Sequence, residues 1–283
     1  MIGEFRGNDL PERRVVLCAD DFAQTVGTVD GIVALLGAGR LSAVSCLVES
    51  PLWPDAARHL RGLPAAFDAG LHFNLTLDFS GDGAHRPAAL PLMLLAAGLR
   101  MISRSRIENC LHRQLDRFER EMDRPPDFVD GHQYVHQLPV VRDALVSVLR
   151  SRYPSSGTAV RVTVPSGARG LKGSLIAGLG GRGLLEAVSR ARIPHNADFA
   201  GIYDFSPSPG YAERMSRWLA DVRDGGLIVC HPAQAGPSNE DPIASARERE
   251  LAHLGSGAFV AALHRRHVRL ARFRDLPVAG EGA

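Results

Sequence analysis

Short apolar runs alternate with helix-period stretches along nearly the whole chain, and this alternation limits the fold more than any other feature. "RVVLCAD" (14–20), "LSAVSCLVE" (41–49), "FDAGLHFNLTL" (67–77), "DFVDGH" (127–132), "AVRVTVP" (159–165), "GGLIVCHP" (225–232) and "HVRLARF" (267–273) read as strands. Val29, Ile32, Val33 and Leu36 recur at i, i+3, i+4, i+7 and predict a helix over 28–39. "WPDAARHLRG" (53–62) predicts a short helix that stops at Gly62. Ile107, Leu111, Leu115, Phe118 and Met122 form the stripe of a longer one. Further helices are predicted over 139–153, 172–191, 209–223 and 243–254, with Pro139 near a tolerated first-turn place. "FAGIYDF" (199–205) lies in a stretch that reads as irregular.

Strands that are apolar throughout need cover on both faces, which predicts a parallel α/β sheet flanked by helices. Seven or eight such units without a composition break predict a single-domain α/β fold, one closed or nearly closed barrel. A doubly wound open sheet is the alternative. No GxGxxG follows the first strand, which weighs against a dinucleotide-binding domain. The expected organisation is a flexible N-terminal segment (1–13), then one domain (14–283) with an irregular Gly/Pro/Ala-rich insertion near 78–104.

Composition removes several classes of function. A net charge of +2 over 283 residues gives no electrostatic reason for a nucleic-acid partner. The four cysteines form no CxxC pair and read as small buried hydrophobes in a reducing compartment. The first residues carry no apolar signal-peptide core. The apolar run "LPLMLLAAGL" (90–99) falls short of the roughly 18 residues of a membrane span. A soluble cytoplasmic protein with no integral membrane segment is expected.

In a parallel α/β barrel, chemistry gathers at the C-terminal ends of the strands. Those ends carry Asp20 and Asp21, then His72 and Asn74, then Asp130, His132 and His136, then Arg161, then His231. Two adjacent carboxylates at the end of a core strand require a compensating cation, a basic partner or water. Two histidines and a carboxylate make a suitable shell for a divalent ion that activates water. The second carboxylate is then free to act as a base. Each residue also has a plainer reading. The Asp pair suits a helix N-cap, His72 a satisfied core histidine, and His231 a residue closing a strand before Pro232. His132 and His136 have the i, i+4 spacing of a helical pair, but Gly131 and Pro139 place them in a loop. What favours a site is that all of them fall at strand ends of one polarity.

"ADDF", "GLHFNLT", "DGHQYVHQLP", "VR" and "CHPA", in this order, resemble the YdjC/ChbG-type carbohydrate deacetylases, the ChbG/HpnK family, from about residue 14 to about 272. "IPHNADFAGIYDF" (193–205) is similar to a stretch in one bacterial branch of that family. The resemblance implies a distorted (β/α) barrel related to the polysaccharide deacetylases. It implies metal-dependent removal of an acetyl group from an N-acetylated amino sugar, oligosaccharide or lipid-linked. It implies a divalent ion (Mg2+ or Zn2+) on Asp21, His72 and His132, with Asp20 as base and His231 as acid. Arg161 is expected to orient Asp20. Asn74, Tyr134 and His136 are expected to contact the substrate, and a homodimer is expected. Two departures stand out. Ala23 replaces a usual glycine, which demands either a φ < 0 turn or some strain. Tyr134 replaces the middle histidine of "GHxHxH". The alternatives are a metal-dependent amidase on a non-sugar substrate and a sugar-binding protein of the same fold without catalysis.

Overall fold

The computed structural model describes residues 11–79, 97, 101–155, 157–166, 177–236 and 241–276. Among these residues, eight parallel strands are joined by helices: β1 (Arg13–Phe22), β2 (Ala43–Cys46), β3 (Asp68–Phe73), β4 (Phe128–Gly131), β5 (Ala159–Val160), β6 (Asp198–Ala200), β7 (Gly226–Cys230) and β8 (Val268–Leu270). The sheet order is β5-β4-β3-β2-β1-β7-β6, and β8 pairs with the first residues of β1. The described helices are α1 (Val26–Gly37), α2 (Trp53–Gly62), α3 (Arg104–Met122), α4 (Val141–Arg152), α5 (Arg182–Ala191), α6 (Tyr211–Asp221), α7 (Ala244–Leu254) and α8 (Gly257–Arg265). The sheet curls into a half-barrel, as the strand–helix alternation predicts. The open-sheet alternative is not found.

The curl almost closes. β5 and β6 share no ladder; a single parallel bridge joins Val160 to His195. One residue beyond, the Asn196 side chain stands in for a strand. Its Oδ1 accepts from Val162 N (2.8 Å) and its Nδ2 donates to Val162 O (2.8 Å). The seam of the barrel is thus held by the Val160 backbone, whose N–H donates to Pro194 O (2.8 Å), and by one amide side chain.

Strand periodicity sorts the core into two layers. Val16, Cys18, Ala43, Phe128, Ala159, Phe199, Leu227 and Val229 meet inside the barrel, and Phe273 stacks on Phe128 (4.7 Å between centroids). Their neighbours Val15, Leu17, Ala19, Val44, Leu71, Val129, Val160, Ala200 and Ile228 pack outward in the cluster that includes the helices. Gly70 allows this filling, since a Cβ there would lie 2.5 Å from the Phe128 ring. α3 buries its expected stripe and starts on Ser103, whose Oγ accepts from Arg106 N. Trp53 stacks on Phe118, and its indole N–H donates to Arg117 O, so it belongs to the helix packing.

β6 and α8 arise where the sequence predicts an irregular stretch and a connection. β5 is shorter than its apolar run because its continuation pairs with a side chain. The insertion near 78–104 and the run 90–99 lie mostly outside the described residues, as does 172–176 of the predicted 172–191 helix. Among the described residues, no helix is long and apolar enough to cross a membrane.

Candidate active site

The two adjacent carboxylates reach one site because β1 is bulged there. Ala19 pairs with Val44 and Phe22 with Cys46, so Asp20 and Asp21 together oppose the single residue Ser45. In a regular strand, consecutive side chains take opposite faces; a two-against-one bulge re-aims one of them. Asp21 takes the left-handed conformation (φ 62°), which Asp tolerates better than most residues. Ala23 is left-handed too (φ 72°). Of the two outcomes that its lack of a glycine allowed, the strained one occurs, at a typical cost of about 1–2 kcal/mol.

Asp21, His72 and His132 converge. Asp21 Oδ1 lies 3.1 Å from His132 Nδ1 and 3.4 Å from His72 Nε2, and one ligand atom from each residue falls within 4.8 Å of the others. Two donors each about 2.1 Å from one ion are about 3.0–3.4 Å apart at angles of 90–109°. The trio therefore fits a divalent ion. The second polar atoms of His72 and Asp21 are already engaged. His72 Nδ1 donates to Asp130 Oδ1 (2.6 Å), which aims Nε2 into the site. Asp21 Oδ2 accepts from Arg247 Nη2 (2.8 Å). Burial alone would raise the Asp21 carboxyl, but Arg247, His132 and His72 hold it well below the usual range. Burial likewise opposes charge on His72, yet Asp130 and Asp20 push its imidazole up.

Beneath the trio lies a fully buried guanidinium. Arg161 Nη1 donates to Asp20 Oδ2 (2.7 Å) and Nη2 to Asp20 Oδ1 (2.5 Å), a bidentate pair. The same Nη2 lies 2.5 Å from Asp130 Oδ2 and 3.1 Å from Cys18 Sγ. Cys18, Asp20 and Asp130 also have the mutual spacing of metal ligands, but here the guanidinium is their cation. Ser45 Oγ donates to Asp130 Oδ1 (2.5 Å). Asp20, Ser45, Asp130, Arg161 and His72 thus form one buried network, in which His72 Nε2 also approaches Asp21.

A cleft of about 290 Å³ opens above the network, lined by Asp20, Asp21, His72, His132 and His231. Tyr134, Ile202, Tyr203, Phe205 and Ile243 give it apolar walls. Gln133 and Tyr134, both left-handed (φ 52° and 61°), break the 3₁₀ turn His132–Gln137 and leave His132 and Tyr134 on the cleft. Gly201 (φ 101°) carries the opposite wall close to β7, where a Cβ would lie 2.2 Å from Val229 O. Burial pushes the His231 imidazole down to about 4.

Two residues expected at the substrate are turned elsewhere. Asn74 spends its amide on its own loop: Oδ1 accepts from Thr76 N and Leu77 N, and Nδ2 donates to Leu77 O and Glu49. His136 is fully buried, and its Nε2 donates to Arg161 O (3.0 Å). It supports the strand that carries Arg161, and burial pushes its imidazole down to about 4. Neither residue lines the cleft. Asp130 orients His72 from two places beyond Phe128 on the inward face; the parity is visible in the sequence, but the partner is not. Arg247 and Glu250 are a separate omission, since nothing in a helix sequence indicates which strand end it meets.

A family model described as "YdjC-like protein" matches residues 14–265. A carbohydrate deacetylase of Homo sapiens is 30% identical over 192 residues, 64% of this chain and 54% of that protein. One of Mus musculus is 32% identical over 152 residues, 50% of this chain and 48% of that one. A chitooligosaccharide deacetylase of Yersinia pestis (strain Pestoides F) is 28% identical over 153 residues, 50% of this chain and 57% of that one. The chain spans about half the length of the curated relatives it matches. Among solved structures, a protein of Enterococcus faecalis V583 described as a candidate cellobiose-phosphate cleavage protein is similar, with a TM-score of 0.71 at 19% identity. That match covers 93% of this chain and 98% of the other. An uncharacterized protein of Agrobacterium tumefaciens C58 gives a TM-score of 0.51 at 14% identity, covering 94% and 89%. At such identities the likeness is one of fold. The family match begins in β1 and ends in α8, taking in every described strand but the last, and the chain belongs to the YdjC-like protein family.

Proposed function

We propose that this protein is a metal-dependent carbohydrate deacetylase that hydrolyses the acetamide of an N-acetylated amino sugar. The observation that carries the reading is the convergence of Asp21, His72 and His132 in a cleft that also holds Asp20 and His231. The names of the relatives, carbohydrate and chitooligosaccharide deacetylases, support the substrate class.

A divalent ion such as Mg2+ or Zn2+ held by the trio supplies positive charge that polarises the acetyl carbonyl and acidifies water. Asp20, fixed at both oxygens by Arg161, takes the proton from the attacking water. Two-point anchoring keeps its carboxylate from rotating onto the site of the ion. His231 hands a proton to the departing sugar amine. Burial keeps the resting ring neutral, so the proton that reaches the amine through His231 is the one Asp20 has taken from the water, and both residues return to their starting states. Tyr134, Tyr203 and Phe205 supply flat apolar surface for a sugar ring, and they exclude water from the reacting bond.

The test is acetate release from N-acetylglucosamine oligosaccharides by metal-stripped protein, with Mg2+ or Zn2+ added back. Release restored by metal, and lowered about 10²–10⁴-fold in Asp20→Asn with metal affinity retained, is the expected result. Folded protein that binds metal but releases no acetate from any N-acetylated sugar would overturn the reading.

A further inference from the structure

The mechanism uses Asp21 and His231, and both are held by one turn of one helix. Arg247 and Glu250, at i and i+3 in α7, share a face and are both buried. Arg247 Nη2 donates to Asp21 Oδ2 (2.8 Å) and Gln24 Oε1 (2.9 Å), Nε donates to Asp241 Oδ2 (2.6 Å), and Nη1 reaches His231 O (3.4 Å). Glu250 Oε2 accepts from His231 N (2.5 Å), and Oε1 accepts from Tyr203 Oη (2.6 Å). The peptide groups of His231 are therefore gripped on both sides from α7, and the oxygen of Asp21 that faces away from the histidines is taken.

We propose that Arg247 and Glu250 are a pair of positioning residues: Arg247 restricts Asp21 to one-oxygen ligation of the metal, and Glu250 fixes the backbone that carries the acid His231. The inference rests on the metal-dependent reading above. A carboxylate with both oxygens free can take two places on an ion. Arg247 leaves Asp21 only Oδ1, the oxygen that faces His72 and His132, and so leaves room for water and for the substrate carbonyl. Glu250 bonds His231 and Tyr203 of the cleft wall, with Tyr211 beside it. The two residues divide the work: the short bonds of Arg247 reach toward the metal, with one long bond to His231 O, and those of Glu250 reach the acid and the cleft wall.

The division gives a test that a merely structural role would fail. Zn2+ affinity of the full chain is measured by titration against a chromophoric chelator, alongside kcat and KM for acetate release. Arg247→Met is expected to weaken Zn2+ binding about 10–100-fold, the usual cost of losing a residue that orients a ligand. Glu250→Ala is expected to keep Zn2+ affinity within about twofold and to lose on the order of 10²-fold in kcat through a displaced acid. Arg247→Lys, which keeps the charge but not the four contacts, is expected to fall between wild type and Arg247→Met, and it decides the matter if the Met variant does not fold. Wild-type Zn2+ affinity in the Arg247 variants, or equal losses of affinity in both positions, overturns the clamp. Absence of Zn2+ binding by the wild type overturns instead the reading beneath it.

Discussion

Asp130 connects the two halves of the chemistry through its two oxygens. Oδ1 receives His72 and Ser45, and Oδ2 faces the guanidinium that holds Asp20. Asp130→Asn should therefore weaken Zn2+ binding about 10–100-fold, by leaving His72 without a fixed tautomer. A chelator titration checks this, and an unchanged affinity would remove Asp130 from the site. At this scale the sequence was informative wherever a residue's own strand settles its place. Asp20, Asp21, His72, His132 and His231 all stand at strand ends, and the structure gathers them in one cleft. It was uninformative wherever a partner from another strand decides. His72 meets Asp130 because β3 and β4 are in that register. Asn74 and His136 sit at strand ends as well, but the Asn74 amide is taken by its own loop and by Glu49, and His136 Nε2 by Arg161 O.

Between β5 and β6, the Asn196 amide replaces a ladder. Asn196→Leu would leave both polar groups of Val162 unpaired in a buried place. A loss of about 2–6 kcal/mol is expected, at about 1–3 kcal/mol for each unsatisfied group. Urea unfolding with an unchanged slope measures it, and a loss below about 1 kcal/mol would mean that the seam is held by other contacts. Element order was legible because a parallel α/β chain writes its alternation into apolar periodicity. The seam was not, because β6 is three residues long and β5 two. Runs so short show no period, and a side chain acting as a strand has no signature. α8 escaped notice for a local reason: Gly255, Ser256 and Gly257 interrupt the helical pattern, and Ser256 caps the new helix through Phe259 N.

At the scale of the whole molecule, the barrel keeps its reactive groups at one end and an ionic cluster at the other. There Asp68 accepts from Phe273 N, next to Asp127, Arg124 and Arg274. Burial first, and then Asp127, raise the Asp68 carboxyl to about 6. In the unfolded chain it titrates near about 3.9. Below that value both states hold the proton and folding loses nothing. As pH rises toward 6, the native state holds a proton that the unfolded state has released, so stability falls. The shift corresponds to about 3 kcal/mol at most. Asp68→Asn, which keeps the acceptor for Phe273, should gain on wild type by up to that amount between about pH 4 and 6. Urea unfolding across that range reads the difference, and parallel curves would contradict it. The route of β1 has a mechanical consequence. β1 is paired with β2 and β7 at Ala19 and with β2 again at Phe22, so Asp20 and Asp21 are bracketed by laddered residues on both sides. The wall from Gly201 to Phe205 hangs from β6, with one laddered neighbour and a seam on its free side. There the wall is pinned by side chains instead, Tyr203 Oη donating to Glu250 and Arg249 donating to Phe205 O. A change at Glu250 therefore reaches the wall through Tyr203, while the spacing of Asp20 and Asp21 stays set by the paired residues on either side of them.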